Sequence, residues 1–228
     1  MDEPCREDGA TAVIQARKRQ LRRLILASRR GLPAAERVTR SRLVWDRVGR
    51  LACYQRADLV LGYMAFDHEV LTDGLIRQAM ASGKHIVLPI VQADRQQLAL
   101  YAIEDFDRDL TPGYRGILEP RQRRVRAVAP EALGLALVPG VAFDMRGGRL
   151  GFGAGFYDRL LGRLPAGVPK LGMAFDFQVI PRLPHQPHDV ILDAVVTDSR
   201  VIWGPFDAEG DGAVVARFSN VVGGRGEV

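Results

Sequence analysis

The sequence carries two cysteines, Cys5 and Cys53, in 228 residues. Two thiols so far apart make neither a zinc site nor a disulfide framework, which points to a reducing compartment. Long apolar runs are missing as well. The longest are broken at Pro89 and Pro139, well short of the roughly 20 residues a membrane span requires. The opening residues are acidic and lack the apolar core of a secretory leader, so the cytoplasm is the expected location. There is no Gly-Lys-Ser/Thr of a P-loop, no Gly-x-Gly-x-x-Gly, no Ser-His-Asp set and no internal repeat. Aromatic residues make up 7% and none interleaves a basic patch, so nucleic acid is not an expected partner.

What is present is ordinary for a soluble globular chain, with 47% apolar and 26% charged residues. The length suits a single domain, read here as 1–203, followed by a Gly-rich extension over 204–228 that is expected to be partly disordered. A net charge of +5 suits ATP or another polyanionic small molecule as well as it suits RNA. After a loose tail over 1–11, apolar periodicity predicts a helix from about Thr11 to Ser28 and a second from Pro33 to about Cys53. Asp58 to Met64 reads as a buried strand. Thr72 to Ser82 reads as a helix capped by Thr72 and closed at Gly83. Strands are predicted at His85–Val91, Gln97–Ile103, Leu135–Val138, Lys170–Phe175 and Leu192–Val196, with 104–132 left as loop. Strands alternating with helices imply an α/β fold built on an open, mainly parallel sheet with helices on both faces.

The stretch Leu135–Leu161 organises the rest. A short apolar strand runs into Pro139-Gly140, then Asp144, then a turn at Arg146-Gly147-Gly148 and Arg149. Gly151, Gly153 and Gly155 alternate before Phe156-Tyr157-Asp158 opens a short helix. Glycines so spaced let backbone N–H groups approach an anion, and the helix start favours negative charge there. Arg149 adds a forked donor suited to phosphate. In open α/β sheets ligands bind beyond the C-terminal strand ends, so the Phe66–Glu69 loop is a natural second lip. On the first helix Lys18 and Arg22 stand four apart on one face, which by spacing alone reads as a solvated basic surface. His185 and His188 lie three apart beside Asp189, but two prolines and the lack of a third nitrogen or sulfur ligand argue against a metal site built on them.

The combination resembles the signature of the 5-formyltetrahydrofolate cyclo-ligase (5,10-methenyltetrahydrofolate synthetase) family. That pattern is carried by Pro139, Gly140, Phe143 and Asp144, by Arg149, Leu150 and Gly151, and by Gly153, Gly155, Phe156, Tyr157 and Asp158. The resemblance covers roughly Ala16 to Asp198 and implies a three-layer fold of Rossmann-like type. It further implies ATP-dependent closure of 5-formyltetrahydrofolate to 5,10-methenyltetrahydrofolate, with Mg²⁺ as cofactor. A monomer is the expected working unit, although nothing in the residues fixes the oligomeric state. Lys18 and Arg22 match the family's ATP-binding Lys-x-x-x-Arg pair, with Arg149, Gly151, Gly153, Gly155, Phe156 and Tyr157 completing the nucleotide site. Met64, Glu69 and Tyr157 match folate-contacting positions, and Glu69 would accept from the pterin's amino-pyrimidine edge. Arg149 and Tyr157 are the catalytic candidates. Asp158 and Asp189 are the metal candidates, with Asp193 a rival for the second place.

Three departures stand out: Ala154, Phe156 and Phe152 occupy positions where the family has glycine or lysine, tyrosine, and often tyrosine. From the residues alone two other readings stay open, a different small-molecule phosphotransferase on a related sheet and a non-catalytic folate-, nucleotide- or RNA-binding protein. The joint presence of Lys18, Glu69, Arg149 and Asp158 argues against both.

Overall fold

The computed structural model describes residues 5–204, with side chains from residue 11 onward. Beyond Gly204 the Gly-rich extension lies outside the described residues. Two long helices open the chain, α1 (Cys5–Gly31) and α2 (Ala34–Arg50), followed by the single turn and a half of α3 (Ala52–Arg56). The tail expected over 1–11 is thus helical from Cys5 on.

Strand β1 (Leu59–Leu61), helix α4 (Asp73–Ala81) and strand β2 (His85–Gln92) form a parallel unit, and β3 (Gln97–Ile103) returns antiparallel to β2. Residues 104–132 are not plain loop. They hold the hairpin β4 (Leu110–Pro112) and β5 (Leu118–Pro120) and the edge strand β6 (Arg126–Val128) on β3. Then come β7 (Leu135–Val138), β8 (Ala142–Asp144), β9 (Arg149–Leu150), α5 (Phe156–Leu161) and β10 (Lys170–Met173). The two-residue β11 (Val179–Ile180), β12 (Ala194–Val196) and β13 (Val201–Trp203) finish the chain. Strand β13, antiparallel on β12, was not foreseen from the sequence.

The main sheet has the order β13-β12-β10-β7-β1-β2-β3-β6. Its five central strands, β12 to β2, are parallel, and the edges are antiparallel. Alternate residues point to opposite faces, as strand geometry dictates. Val60, Leu135, Leu137, Leu171 and Met173 enter a core covered by α2, α3 and α4. Leu61, Ala136, Val138 and Val195 enter a second core under Leu160 and Leu161 of α5. Helices therefore do cover both faces. A third, small core of Ala142, Leu150 and Leu183 lies under Leu21 and Ile25 of α1, against the separate sheet β11-β8-β9.

From β1 the chain moves to β2 on one side, and from β7 to β10 and β12 on the other. The winding reverses between β1 and β7, and that boundary is where a doubly wound sheet opens a ligand crevice. The sheet is frayed there. β1 leaves its ladder after Leu61, three residues short of the expected Met64, and only the Gly62 N–H still reaches Val87 O, at 2.9 Å. Pro89 lies inside β2 but past Val87, where pairing with β1 has stopped, so its missing donor is tolerated as at an edge.

Candidate functional site

A cleft of about 450 Å³ opens beyond the C-terminal ends of β1 and β7. Lys18 and Arg22 of α1 form one wall, and Met64 and Glu69 after β1 form a second. The third runs from Arg149 through Gly151, Gly153 and Gly155 to Phe156, Tyr157 and Asp158, with Asp189 at the margin. Apart from Asp193, the residues singled out from the sequence as site candidates therefore face one cavity.

The third wall is built on a short ladder. Arg149 is not the mouth of a free loop but half of β9, paired with Phe143 of β8. Asp144, quoted in the sequence motif, accepts from the N–H groups of Arg146, Gly148 and Leu183 at 2.8–2.9 Å and so pins the intervening turn. Beyond Leu150 the chain needs glycine, because Gly153 sits at φ +109° and Gly155 at φ +69°. Ala154 has no positive φ and adds no strain there. The Arg22 Nε donates to Gly151 O at 2.8 Å and ties α1 to the turn. α5 has only six residues, so an anion here would be met by turn N–H groups and guanidinium groups rather than by a long helix dipole.

The Arg149 guanidinium, 3% exposed, lies over the Tyr157 ring at 5.6 Å. Its Nη2 is 2.9 Å from Asp158 Oδ1, an ion pair by distance whose angles do not suit a hydrogen bond. Arg149 Nε and Asp158 Oδ1 are both buried without a hydrogen-bond partner. A donor without a partner, and a carboxylate oxygen that is ion-paired but not hydrogen-bonded, stand beside a glycine turn where a phosphate and its hard cation would complete them.

Asp189 is differently placed. Its Oδ2 accepts from Lys18 Nζ at 2.6 Å and from the Gln186 N–H at 2.8 Å. Burial pushes its carboxyl up, but the Lys18 hydrogen bond, the Gln186 N–H and the nearby charges of Lys18 and His185 outweigh burial and hold it below its ordinary value. Only Oδ1 remains for a cation, with the exposed His188 Nε2 3.8 Å away. Asp193, the rival candidate, accepts from the Lys170 N–H at 2.7 Å and lies off the cleft. Among the described residues no three His, Cys, Asp or Glu side chains converge to cage a metal. The donor set fits Mg²⁺ held mainly by nucleotide phosphates with one or two carboxylates.

Left-handed Asp67 (φ 43°) and His68 (φ 63°) fold the second wall back on itself, so that the Phe66 N–H donates to Glu69 Oε2 at 3.0 Å. Glu69 is 5% exposed, and burial lifts its carboxyl to about 7 against the opposing charge of Arg29. The hydroxyl of Tyr63 beside it is buried without a partner. Burial and the Glu69 charge push both Tyr63 and Tyr157 above the ordinary phenol range. Thr72, expected to cap α4, instead donates its hydroxyl to Tyr63 O at 2.6 Å. At the rim Tyr114 is half exposed and faces the cleft.

Sequence reasoning missed Tyr63 and Arg29. For Arg29 a signal existed, since Lys18, Arg22 and Arg29 are four and eleven residues apart and share one face of α1. Nothing in the pattern marked Tyr63, whose isolation is a fact of packing.

Fold and cleft together define a doubly wound α/β protein with a glycine turn and basic side chains set across one cavity from a buried carboxylate. The family model described as the 5-formyltetrahydrofolate cyclo-ligase family matches residues 14–198, and the chain belongs to that family. It is 36% identical over 147 residues to the 5-formyltetrahydrofolate cyclo-ligase of Escherichia coli K12, covering 64% of this chain and 80% of that one. To the Mus musculus 5-formyltetrahydrofolate cyclo-ligase it is 28% identical over 195 residues, 82% of this chain and 96% of the other. Among solved structures it resembles the 5,10-methenyltetrahydrofolate synthetase of Aquifex aeolicus, with a TM-score of 0.73 and 35% identity over 82% of this chain and 92% of that one. A 5,10-methenyltetrahydrofolate synthetase from Mycoplasma pneumoniae gives 0.65 and 26% over 79% and 98%. No described helix is long and apolar enough to cross a membrane.

Proposed function

We propose that the chain closes 5-formyltetrahydrofolate to 5,10-methenyltetrahydrofolate at the expense of ATP, releasing ADP and phosphate. The observation that carries this reading is the union, in one cleft, of a glycine turn with arginine and lysine donors and a buried carboxylate suited to a pterin edge. A formyl oxygen on an amide-like nitrogen is a poor leaving group. Transfer of the γ-phosphoryl to that oxygen gives an iminium phosphate, folate N10 attacks the activated carbon, and phosphate departs with the oxygen.

Such chemistry asks for positioning and charge neutralisation rather than a protein nucleophile. Arg149, with its unmatched Nε, and the N–H groups around Gly151, Gly153 and Gly155 would neutralise the transferring phosphoryl. Lys18 and Arg22 would hold the remaining phosphates, with Phe156 as an aromatic wall. Burial keeps Tyr157 protonated and hence a donor toward the formyl group. Glu69 and Met64 would seat the pterin. Mg²⁺, when bound, would supply charge neutralisation for the phosphates, and Asp158 and Asp189, each through Oδ1, are the residues that would hold it.

One chain supplies every wall of the cleft, which supports action as a monomer, and the scarcity of cysteine supports the cytoplasm. Mixing the protein with 5-formyltetrahydrofolate, ATP and Mg²⁺ should raise the methenyl absorbance, with no rise when ATP is omitted. Failure of that rise, with ATP hydrolysed on another acceptor, would remove the assignment.

A further inference from the structure

Arg29 of α1 has none of its surface exposed, and it does not line the cleft. A guanidinium taken out of water is costly unless its donors are matched, and an apolar side chain would fill the same space at lower cost. The donors are matched in an unusual way. No carboxylate hydrogen-bonds to the guanidinium: Glu69 Oε1 and Asp67 Oδ2 stand at ion-pair range, both 3.9 Å away. Backbone carbonyls take their place. Nε donates to Asp67 O at 2.9 Å, Nη2 to Asp67 O and to Phe66 O at 3.4 Å, and Nη1 to Gly140 O at 3.3 Å.

Those acceptors belong to two segments. Phe66 and Asp67 follow β1, Gly140 follows β7, and the winding of the sheet reverses between these strands. One planar, five-donor group therefore spans the crevice floor and joins the lip bearing Glu69 to the Pro139–Gly140 turn that precedes β8 and β9. Gln178 supports the same turn, donating to Gly140 O at 3.2 Å and Val141 O at 2.9 Å. A lysine offers three donors from a single point and cannot span both lips.

We propose that Arg29 is a positioning residue for this reaction: it fixes the Phe66–Glu69 lip against the Pro139–Gly140 turn and supplies the positive charge that Glu69 faces. The substrate part of this rests on the proposed folate chemistry. The charge part does not. The groups around Glu69 are Arg29 from α1, Asp67 from its own loop, Tyr63 just after β1 and Tyr157 from α5, and of these four Arg29 is the cation. Its charge opposes the burial that lifts the Glu69 carboxyl to about 7.

Arg29→Lys and Arg29→Met test this. In Arg29→Lys the charge stays and the fork is lost: the KM for 5-formyltetrahydrofolate should rise about tenfold or more, while the KM for ATP stays within about twofold. In Arg29→Met the charge goes as well, and the Glu69 titration, followed by carboxyl ¹³C NMR on the free protein, should move upward from its midpoint of about 7. A loss of thermal stability alone, with folate KM and Glu69 midpoint unmoved, assigns Arg29 to the scaffold and overturns the proposal. Should Arg29→Met not fold, an unchanged folate KM in folded Arg29→Lys overturns it equally. If the wild type makes no methenyl product, the proposed function fails by itself, and the NMR midpoint still decides for or against Arg29.

Discussion

Glu69 holds a carboxyl at about 7 inside a protein whose unfolded chain would titrate it near 4.3. The folded state therefore binds the proton more tightly than the unfolded state. The associated stability is fully present below about pH 4 and is lost as pH rises through about 7. At pH 8 the buried charge weighs against folding, by an amount on the order of 3–4 kcal/mol. Glu69→Gln removes the charge and keeps the shape. It should raise Tm by several degrees at pH 8 and leave Tm nearly unchanged at pH 4.5, as scanning calorimetry at the two pH values would record. The same variant should raise the folate KM, because an amide cannot accept both hydrogen bonds of an amino-pyrimidine edge. An equal Tm shift at both pH values would mean that packing, not ionisation, is at issue. Little of this was visible in the sequence: Glu69 could be picked out as a loop carboxylate, but its burial depends on left-handed Asp67 and His68 and on Arg29, which meet it only in space.

The glycine turn belongs to the scale of elements, and there the sequence said more. Alternating glycines after an arginine point to a backbone that must go where a Cβ cannot, and Gly153 at φ +109° and Gly155 at φ +69° bear this out. What stayed hidden were elements too short for periodicity to register: two-residue β9 and β11, and the three-residue strands β4, β5, β6, β8 and β13. Their formation is decided by partners distant in the chain, as when Arg149 pairs with Phe143. Gly153→Ala should be unfavourable through its backbone. Its φ lies in a region that costs an alanine roughly 1–3 kcal/mol, while the new Cβ would meet the Arg22 guanidinium at an ordinary contact distance of 3.5 Å. We expect kcat to fall at least tenfold with a higher ATP KM, whereas Gly167→Ala, with open space and no positive φ, should match the wild type in both. Equal kinetics for the two variants would detach the turn from the nucleotide.

At the scale of the whole molecule the question is where the working unit ends. The family match stops at residue 198, before β13 begins at Val201. Strand β13 is nevertheless part of the second core: Ile202 is 6% exposed and packs with Val195 and Leu192. Its three residues pair in full with β12 and cover what would otherwise be an open parallel edge. Gly204 closes the strand, its N–H donating to Asp193 O at 2.9 Å, and a Cβ there would lie 2.5 Å from Leu192 O. On these contacts, rather than on any motif, we propose that the unit ends at Gly204; a Gly-rich composition after it could be read from the sequence, whereas a three-residue strand is too short for periodicity to register. A chain ended after Gly204 should keep the melting temperature and the kcat of the full protein. A chain ended at Asp198 forfeits the burial of Ile202, worth about 1.5–3 kcal/mol, together with the ladder, and leaves β12 as an apolar edge. It should melt several degrees lower and associate on concentration, which calorimetry and light scattering would detect. If ending the chain at Gly204 lowers Tm as much as ending it at Asp198, the unit extends past Gly204 and the boundary drawn here is wrong.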